Sequence, residues 1–321
     1  MSTPRRLTVW APLAATVGLV LPEAGRTVPM SREENGWWSA PALADGTDYA
    51  FSLDDGPSRP DPRSAWQPHG VHGPSRVFDS SSFAWPDGWS GREARGAVHY
   101  ELHVGTFTTE GTLDSAIDRL DHLVELGVGM VELMPLAAFD GQRGWGYDGV
   151  ALYAVHDTYG GPAALQRFVA AAHARGLGVC LDVVYNHLGP SGAYLSQFGP
   201  YFSDRHTTPW GDGVNLDGPQ SEVVRAYFVE NALRWFADFG IDALRLDAIH
   251  ALADDSDVHL LAELAERTAE LSRLLGRPLS LTAESDLNQP SVVAPTDAGG
   301  LGMTAQWADD VHHAVHALVT G

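Results

Sequence analysis

The chain has 321 residues, of which 44% are hydrophobic and 19% charged, and 41 acidic residues against 20 basic ones give a net charge of −21. That acidity excludes nucleic acid and anionic membranes as partners, since both require clustered cations, and leaves a neutral substrate such as a sugar compatible. The length is enough for two domains and a sizeable core.

The N-terminus opens ambiguously. Arg5 and Arg6 followed by LTVWAPLAATVGLVL imitate a secretory signal. The Trp10-Ala11-Pro12 interruption and the strand-like alternation of TVGLVL argue for a folded segment instead. Residues 1 to about 96 read as all-β, with short apolar runs (LTVW, TVGLVL, WWSA, DYAFSL) between Pro, Gly and Asp clusters. An N-terminal β-sandwich is expected over residues 1–90. Trp37 and Trp38 are expected to serve its core or an interface rather than a sugar. The Pro/Gly/Ser-rich stretch SSFAWPDGWSGREARG reads as a linker.

From residue 97 strand-like and helical runs alternate. The expected strands are 98–104, 129–136, 178–184, 241–247, 279–284 and 304–308. The helical runs between them begin LDSAIDRLDHLVELG and end DDVHHAVHALVTG. Gly127, Gly176, Gly240 and Gly276 stand where helices should stop. Alternating β and α units imply a parallel sheet with right-handed crossovers. No G-x-G-x-x-G or Walker motif follows any strand, and polar residues gather at strand C-termini, which favours a (β/α)₈ barrel over a nucleotide-binding sheet. Long loops at about 137–162 and 186–220 also fall at strand C-termini. Cys180, the sole cysteine, sits in the apolar run GVCLDVV and reads as a buried, inert thiol. With no partner for a disulfide, it gives no sign of an oxidising compartment.

Three strand ends carry the chemistry: LDVVYNHLG with Asp182, Asn186 and His187, GIDALRLDAIH with Arg245, Asp247 and His250, and LTAES with Glu284. Strand alternation puts Arg245 and Asp247 on one face. A neighbouring guanidinium favours an ionised carboxylate, as a nucleophile requires. Glu284 ends a mostly apolar strand, where burial favours the protonated form that a general acid requires. Two carboxyl groups in unlike settings are the pair that glycoside hydrolysis uses.

These three segments resemble, in order, the first three conserved regions of the α-amylase family of glycoside hydrolases. The resemblance implies that Asp247 is the nucleophile, Glu284 the acid/base and Arg245 the residue holding Asp247. It implies that Asp182 and His187 support the site, that Tyr147 in GWGYDGV stacks on the sugar, and that His250 binds substrate. Strings such as VHYELHVGTFT, YNHLGPSGAYLSQFGPYF and WGDGVNLDGP narrow the resemblance to members that release trehalose from maltooligosyl trehalose. Such a member uses no metal and no organic cofactor, partners a malto-oligosyltrehalose synthase and is cytoplasmic. The family's fourth region is not in this sequence. The reading is therefore of a barrel with about six strands over residues 97–321, without the seventh and eighth strands, the third family carboxylate or a C-terminal β domain, and with little activity alone. Asp309 and Asp310 follow the sixth strand and are not that third carboxylate. A glycogen branching or debranching enzyme remains an alternative, as does a non-catalytic glucan-binding protein. The H-H-x-x-H run His312, His313 and His316 is expected to be packed or hydrogen-bonded rather than metal-binding. Residues 253–257, ADDSD, read as a solvated helix start capped by Asp or Ser. Trp145 is expected on a loop near the glucan.

Overall fold

The computed structural model describes residues 6–321. Arg5 of the signal-like stretch therefore lies outside the described residues. The run after it forms strands β1 (Leu7–Trp10) and β2 (Val17–Leu21), continued by β3 (Arg26–Pro29), β4 (Ser31–Arg32), β5 (Trp37–Ala40), β6 (Asp48–Leu53) and β7 (Ser75–Arg76). They make two antiparallel sheets, in the orders β1-β5-β4 and β3-β2-β6-β7. Trp38 is buried, its indole N–H donating to the Ala11 carbonyl at 3.1 Å, and Trp37 is half-buried under the Arg63 guanidinium. Both serve packing. Trp10 meets Tyr201 edge-on with centroids 5.3 Å apart, and Phe51 meets Phe198 at 6.4 Å. The N-terminal sheets thus share one contiguous apolar core with the chain that follows.

That following chain alternates strands and helices. Strand β8 (His99–Leu102) leads into short helices α1 (Val104–Phe107), α2 (Leu113–Ile117) and α3 (Leu120–Glu125), then β9 (Met130–Leu133), α4 (Gly161–His173) and β10 (Gly178–Val183). A single turn, α5 (Leu195–Phe198), and a hairpin, β11 (Phe202–Thr208) with β12 (Gly211–Val214), occupy the loop after β10. Helix α6 (Ser221–Phe239), strand β13 (Ala243–Leu246), helix α7 (Leu260–Leu275), strands β14 (Ser280–Ser285) and β15 (Ala305–Ala308) and helix α8 (Asp309–Thr320) complete it. The six strands pair in chain order, β8-β9-β10-β13-β14-β15, and every pairing is parallel. They are six strands of an incomplete (β/α)₈ barrel, at the positions the sequence suggested. All six residues of β10 are buried, as a mostly apolar strand covered on both faces of a parallel sheet requires, and the one charged residue among them is Asp182. Gly127, Gly176, Gly240 and Gly276 each have positive φ at or just past a helix end. Among the described residues no helix is long and apolar enough to cross a membrane.

Four expectations need correction. The helix expected over 113–127 is broken at Asp118–Arg119, where the amides of Asp118 and Arg119 bond three residues back instead of four and tighten the turn. The segment 253–257 is solvated at Asp255, Ser256 and Asp257, but neither an Asp nor a Ser caps the helix: the Asp254 side chain is covered, accepts from the Leu260 amide at 2.6 Å and pairs with Arg225 at 2.7 Å, while the N-cap is His259, whose Nδ1 accepts from the Leu261 amide. His312, His313 and His316 are exposed rather than packed, because α8 buries none of its residues. The expected linker is tied down. The Trp89 indole donates to Asp242 Oδ1 at 2.8 Å and stacks on His173, and Arg92 donates to the Gly176 carbonyl.

Asp242 holds this floor together. Fully buried, it accepts from Trp89, from His173 Nε2 (2.9 Å), from the Val179 amide (3.0 Å) and from Arg277 (3.1 Å). Asp242→Ala strands all four donors, so unfolding in urea is expected to show a loss of about 3–5 kcal/mol. A loss under about 1 kcal/mol would show that these bonds are incidental.

Candidate active site

The barrel register brings the chemistry together. Asp182 on β10 lies beside Arg245 on β13, and Glu284 on β14 lies one strand further on. Arg245 is the hub. Its Nη1 donates to Asp182 Oδ2 at 2.6 Å and to Asp247 Oδ1 at 3.2 Å, its Nη2 stands 3.7 Å from Glu284 Oε2, and its guanidinium lies over the Trp307 ring at 5.7 Å. These carboxylates, with Asp182 foremost, keep the guanidinium charged against the cost of burial, which works the other way.

Each acid has its own setting. Asp182 is almost fully buried, and Oδ2 also accepts from the Tyr147 hydroxyl at 2.8 Å. Burial pushes its carboxyl well up, opposed first by Arg245. Asp247 receives the Asn186 side-chain amide on its own carbonyl at 2.8 Å and on Oδ2 at 3.2 Å. Glu284 Oε2 accepts from the Ala248 amide at 2.7 Å, which leaves Oε1 as the better proton site. Burial, helped by a hydrogen bond with Asp309, raises the Glu284 carboxyl above the usual range.

The Ala248 amide reaches Glu284 only because Ala248 adopts a left-handed conformation, φ 44° and ψ 55°. Such a conformation costs a non-glycine residue about 1–2 kcal/mol and concentrates at functional turns. No sequence signal marks an alanine for it. His187 sits at the end of the β10 segment, with Nε2 on the Tyr147 carbonyl at 3.0 Å and Nδ1 on Asn186 Oδ1. On it lies Trp210 from the β11–β12 turn, its ring stacked at 4.4 Å and half exposed to solvent.

Six of the seven site residues read from the sequence therefore converge: Tyr147, Asp182, His187, Arg245, Asp247 and Glu284. The seventh, His250, lies on the turn just after Asp247 with an exposed side chain and no hydrogen bond to the cluster. Trp145 is exposed on the neighbouring loop. Trp210, Asn186 and Asp309 join the cluster, although reading the sequence assigns no role to the first and sets the last aside. Two further groups of metal-capable side chains converge, His99 with Glu132 and Cys180, and His206 with Asp217 and Asp255. Neither offers a free donor set. Burial pushes the Cys180 thiol well up, so it keeps its proton, and Asp217 is already taken by Arg205, His206 and the Asp255 amide.

The sequence profile described as "Alpha amylase, catalytic domain" matches residues 74–207. A malto-oligosyltrehalose trehalohydrolase of Arthrobacter ramosus is 58% identical over 99% of this chain. Over residues 74–207 the chain is thus similar to the α-amylase catalytic domain, and over nearly all of its length to that trehalohydrolase. A malto-oligosyltrehalose trehalohydrolase of Mycobacterium tuberculosis (strain ATCC 25618 / H37Rv) is 53% identical over 98% of the chain. The match covers 56% and 54% of those two relatives, so the chain spans about half the length of the curated relatives it matches. A crystal structure of a putative α-amylase from Salmonella typhimurium superposes with a TM-score of 0.91 at 43% identity, covering 98% of this chain and 54% of that one. A 1,4-alpha-glucan branching enzyme of Corynebacterium jeikeium is more distant, at 30% identity over 93% of this chain and 47% of that protein. Pullulanase structures at 22% identity share the fold.

Proposed function

We propose that the protein is a retaining trehalohydrolase that cleaves the α-1,4 bond next to the terminal trehalose unit of maltooligosyl trehalose. The observation that carries this reading is Arg245 touching both Asp247 and Glu284, in a chain 58% identical to a trehalohydrolase over nearly its whole length. Two carboxyl groups that stand 3.2 and 3.7 Å from the two Nη atoms of one guanidinium are close, which favours the short separation of retaining enzymes.

In the first step an Asp247 oxygen attacks the anomeric carbon. The glycosidic C–O bond breaks, and Glu284 gives its proton to the departing trehalose oxygen. In the second, the Glu284 carboxylate takes a proton from water, which attacks the same carbon and frees Asp247. Glu284 is protonated again and the maltooligosaccharide leaves with its configuration retained. Tyr147 and the Trp210–His187 stack offer aromatic faces to the sugar rings. The same reading takes residues 1–90 as a β-sandwich and 97–321 as the barrel. It also places the protein in the cytoplasm, downstream of a malto-oligosyltrehalose synthase that makes its substrate.

Incubating the product of the complete open reading frame to which this chain belongs with maltotriosyl-trehalose is expected to release free trehalose and maltotriose as the main products. Glucose, maltose or branched glucan instead would move the protein to a sister activity, and binding without turnover would make it a glucan-binding protein.

A further inference from the structure

Beneath the reacting residues, the barrel interior holds a second polar cluster that the two-step mechanism does not use. Glu132, on β9, is fully buried, and His99 opens β8 with its side chain 18% exposed. His99 Nε2 lies 3.1 Å from the Ala94 carbonyl oxygen, and Nδ1 lies 3.4 Å from Glu132 Oε2. Both ring nitrogens thus face acceptors. A neutral ring has one proton and leaves a lone pair against an oxygen in either tautomer, whereas the doubly protonated ring satisfies both. His187 also sits between two oxygens, but those belong to an amide and a peptide carbonyl without net charge, and burial draws that ring down toward neutrality. At His99 the facing group is a carboxylate.

The other Glu132 oxygen, Oε1, has no hydrogen-bond partner among the described residues, and neither has Arg245 Nε; the two face each other at 3.9 Å. Arg245 is thereby ringed by Asp182, Asp247, Glu284 and Glu132. Even with Asp182 and Glu284 holding protons, Asp247 and Glu132 carry one charge more than the single guanidinium balances in a low-dielectric interior, and a second cation below it relieves the excess.

We propose that His99, as an imidazolium, and Glu132 form a buried pair that positions Arg245 against Asp247 and Glu284. Both are positioning residues, out of reach of substrate. The hydrogen bond to Glu132 raises the His99 ring above its ordinary 6.5, against burial. The groups around the ring are Glu132 from β9, the protonated Cys180 from β10, Arg245 from β13, the Trp307 edge from β15, and Glu101 on its own strand, which burial pushes up. A cation raised in the folded state stabilises it fully below 6.5 and loses that contribution as pH rises through the folded value. The charge of the pair stands independently of the proposed function, and only its effect on turnover rests on that reading.

The test is an NMR titration of the product of the complete reading frame, labelled with [13C]histidine, with the His99 signal assigned by its loss in His99→Gln, and the kinetics are measured on the same protein. The His99 midpoint is expected above 6.5 in the wild type and at or below 6.5 in Glu132→Gln. Turnover of maltooligosyl trehalose by Glu132→Gln is expected to fall about 10- to 100-fold in kcat with KM nearly unchanged, and Glu132→Asp to recover part of it. Should Glu132→Gln fail to fold, His99→Gln is expected to show the same kinetic loss. A wild-type midpoint at or below 6.5, or one that Glu132→Gln leaves in place, overturns the pair. Unchanged kcat in Glu132→Gln overturns the positioning role. A wild type that does not hydrolyse the substrate at all counts against the proposed function, while the titration still decides on the pair.

Discussion

Asp247→Ala is expected to abolish hydrolysis of maltooligosyl trehalose, with kcat down by about 10⁴-fold or more, because no other group in the cluster can take its place. Asp182 is buried against Arg245 and the Tyr147 hydroxyl, and Glu284 is committed to proton transfer. Loss of activity alone does not separate a nucleophile from a structural partner of Arg245, so small external anions supply the sharper readout. Formate or azide entering the space left by the side chain attacks the anomeric carbon from the nucleophile's side. With azide, the expected product is a glycosyl azide of inverted configuration. Asp247→Asn keeps the volume and the contact with Asn186 and controls for folding. An alanine variant within about tenfold of wild type would remove Asp247 from the reaction.

Glu284→Gln carries two expectations of opposite sign. The variant cannot donate a proton, so kcat is expected to fall by about 10²- to 10⁴-fold. The loss should be much smaller on a substrate whose leaving group departs without protonation. The wild-type rate is expected to decline on the alkaline side as Glu284 loses its proton. Thermal stability moves the other way. Because the folded Glu284 carboxyl is raised above 4.5, its proton is held more tightly folded than unfolded. Its contribution to stability is therefore present below 4.5 and is lost as pH rises through the folded value. Glutamine has no proton to lose. The variant should thus melt higher than wild type near pH 7, with the difference shrinking toward pH 4, the usual exchange of stability for activity. A Glu284→Gln enzyme that keeps its rate, or that is less stable at pH 7 than at pH 4 relative to wild type, refutes the general-acid role.

Much of the fold was readable because a parallel barrel writes each unit locally. Apolar runs such as GVCLDVV and glycines at helix ends are short-range signals, and all six strands stand where those signals put them. The reacting pair was readable for a related reason: Arg245 and Asp247 share a face by alternation alone. What stayed hidden depends on distant partners. Asp254 looks like a surface acid until Arg225, 29 residues earlier, is folded against it. Trp89 looks like linker until Asp242 captures its indole. Trp210 lies on a polar turn, and only the hairpin's return brings it over His187. Ala248 shows the remaining limit, since its conformation is imposed by the turn between Asp247 and the chain that follows, and alanine has no preference for it.

The edge-on meeting of Trp10 with Tyr201 and of Phe51 with Phe198 bears on how this protein can be recombined. Tyr201 and Phe198 precede the hairpin whose turn holds Trp210 over His187. The N-terminal sheets are therefore part of the support for the rim of the active site. A chimera that exchanges residues 1–90 alone would replace one side of that packing and leave the other, so the rim of the active site is kept only where Phe198 and Tyr201 still meet the aromatic rings that suit them.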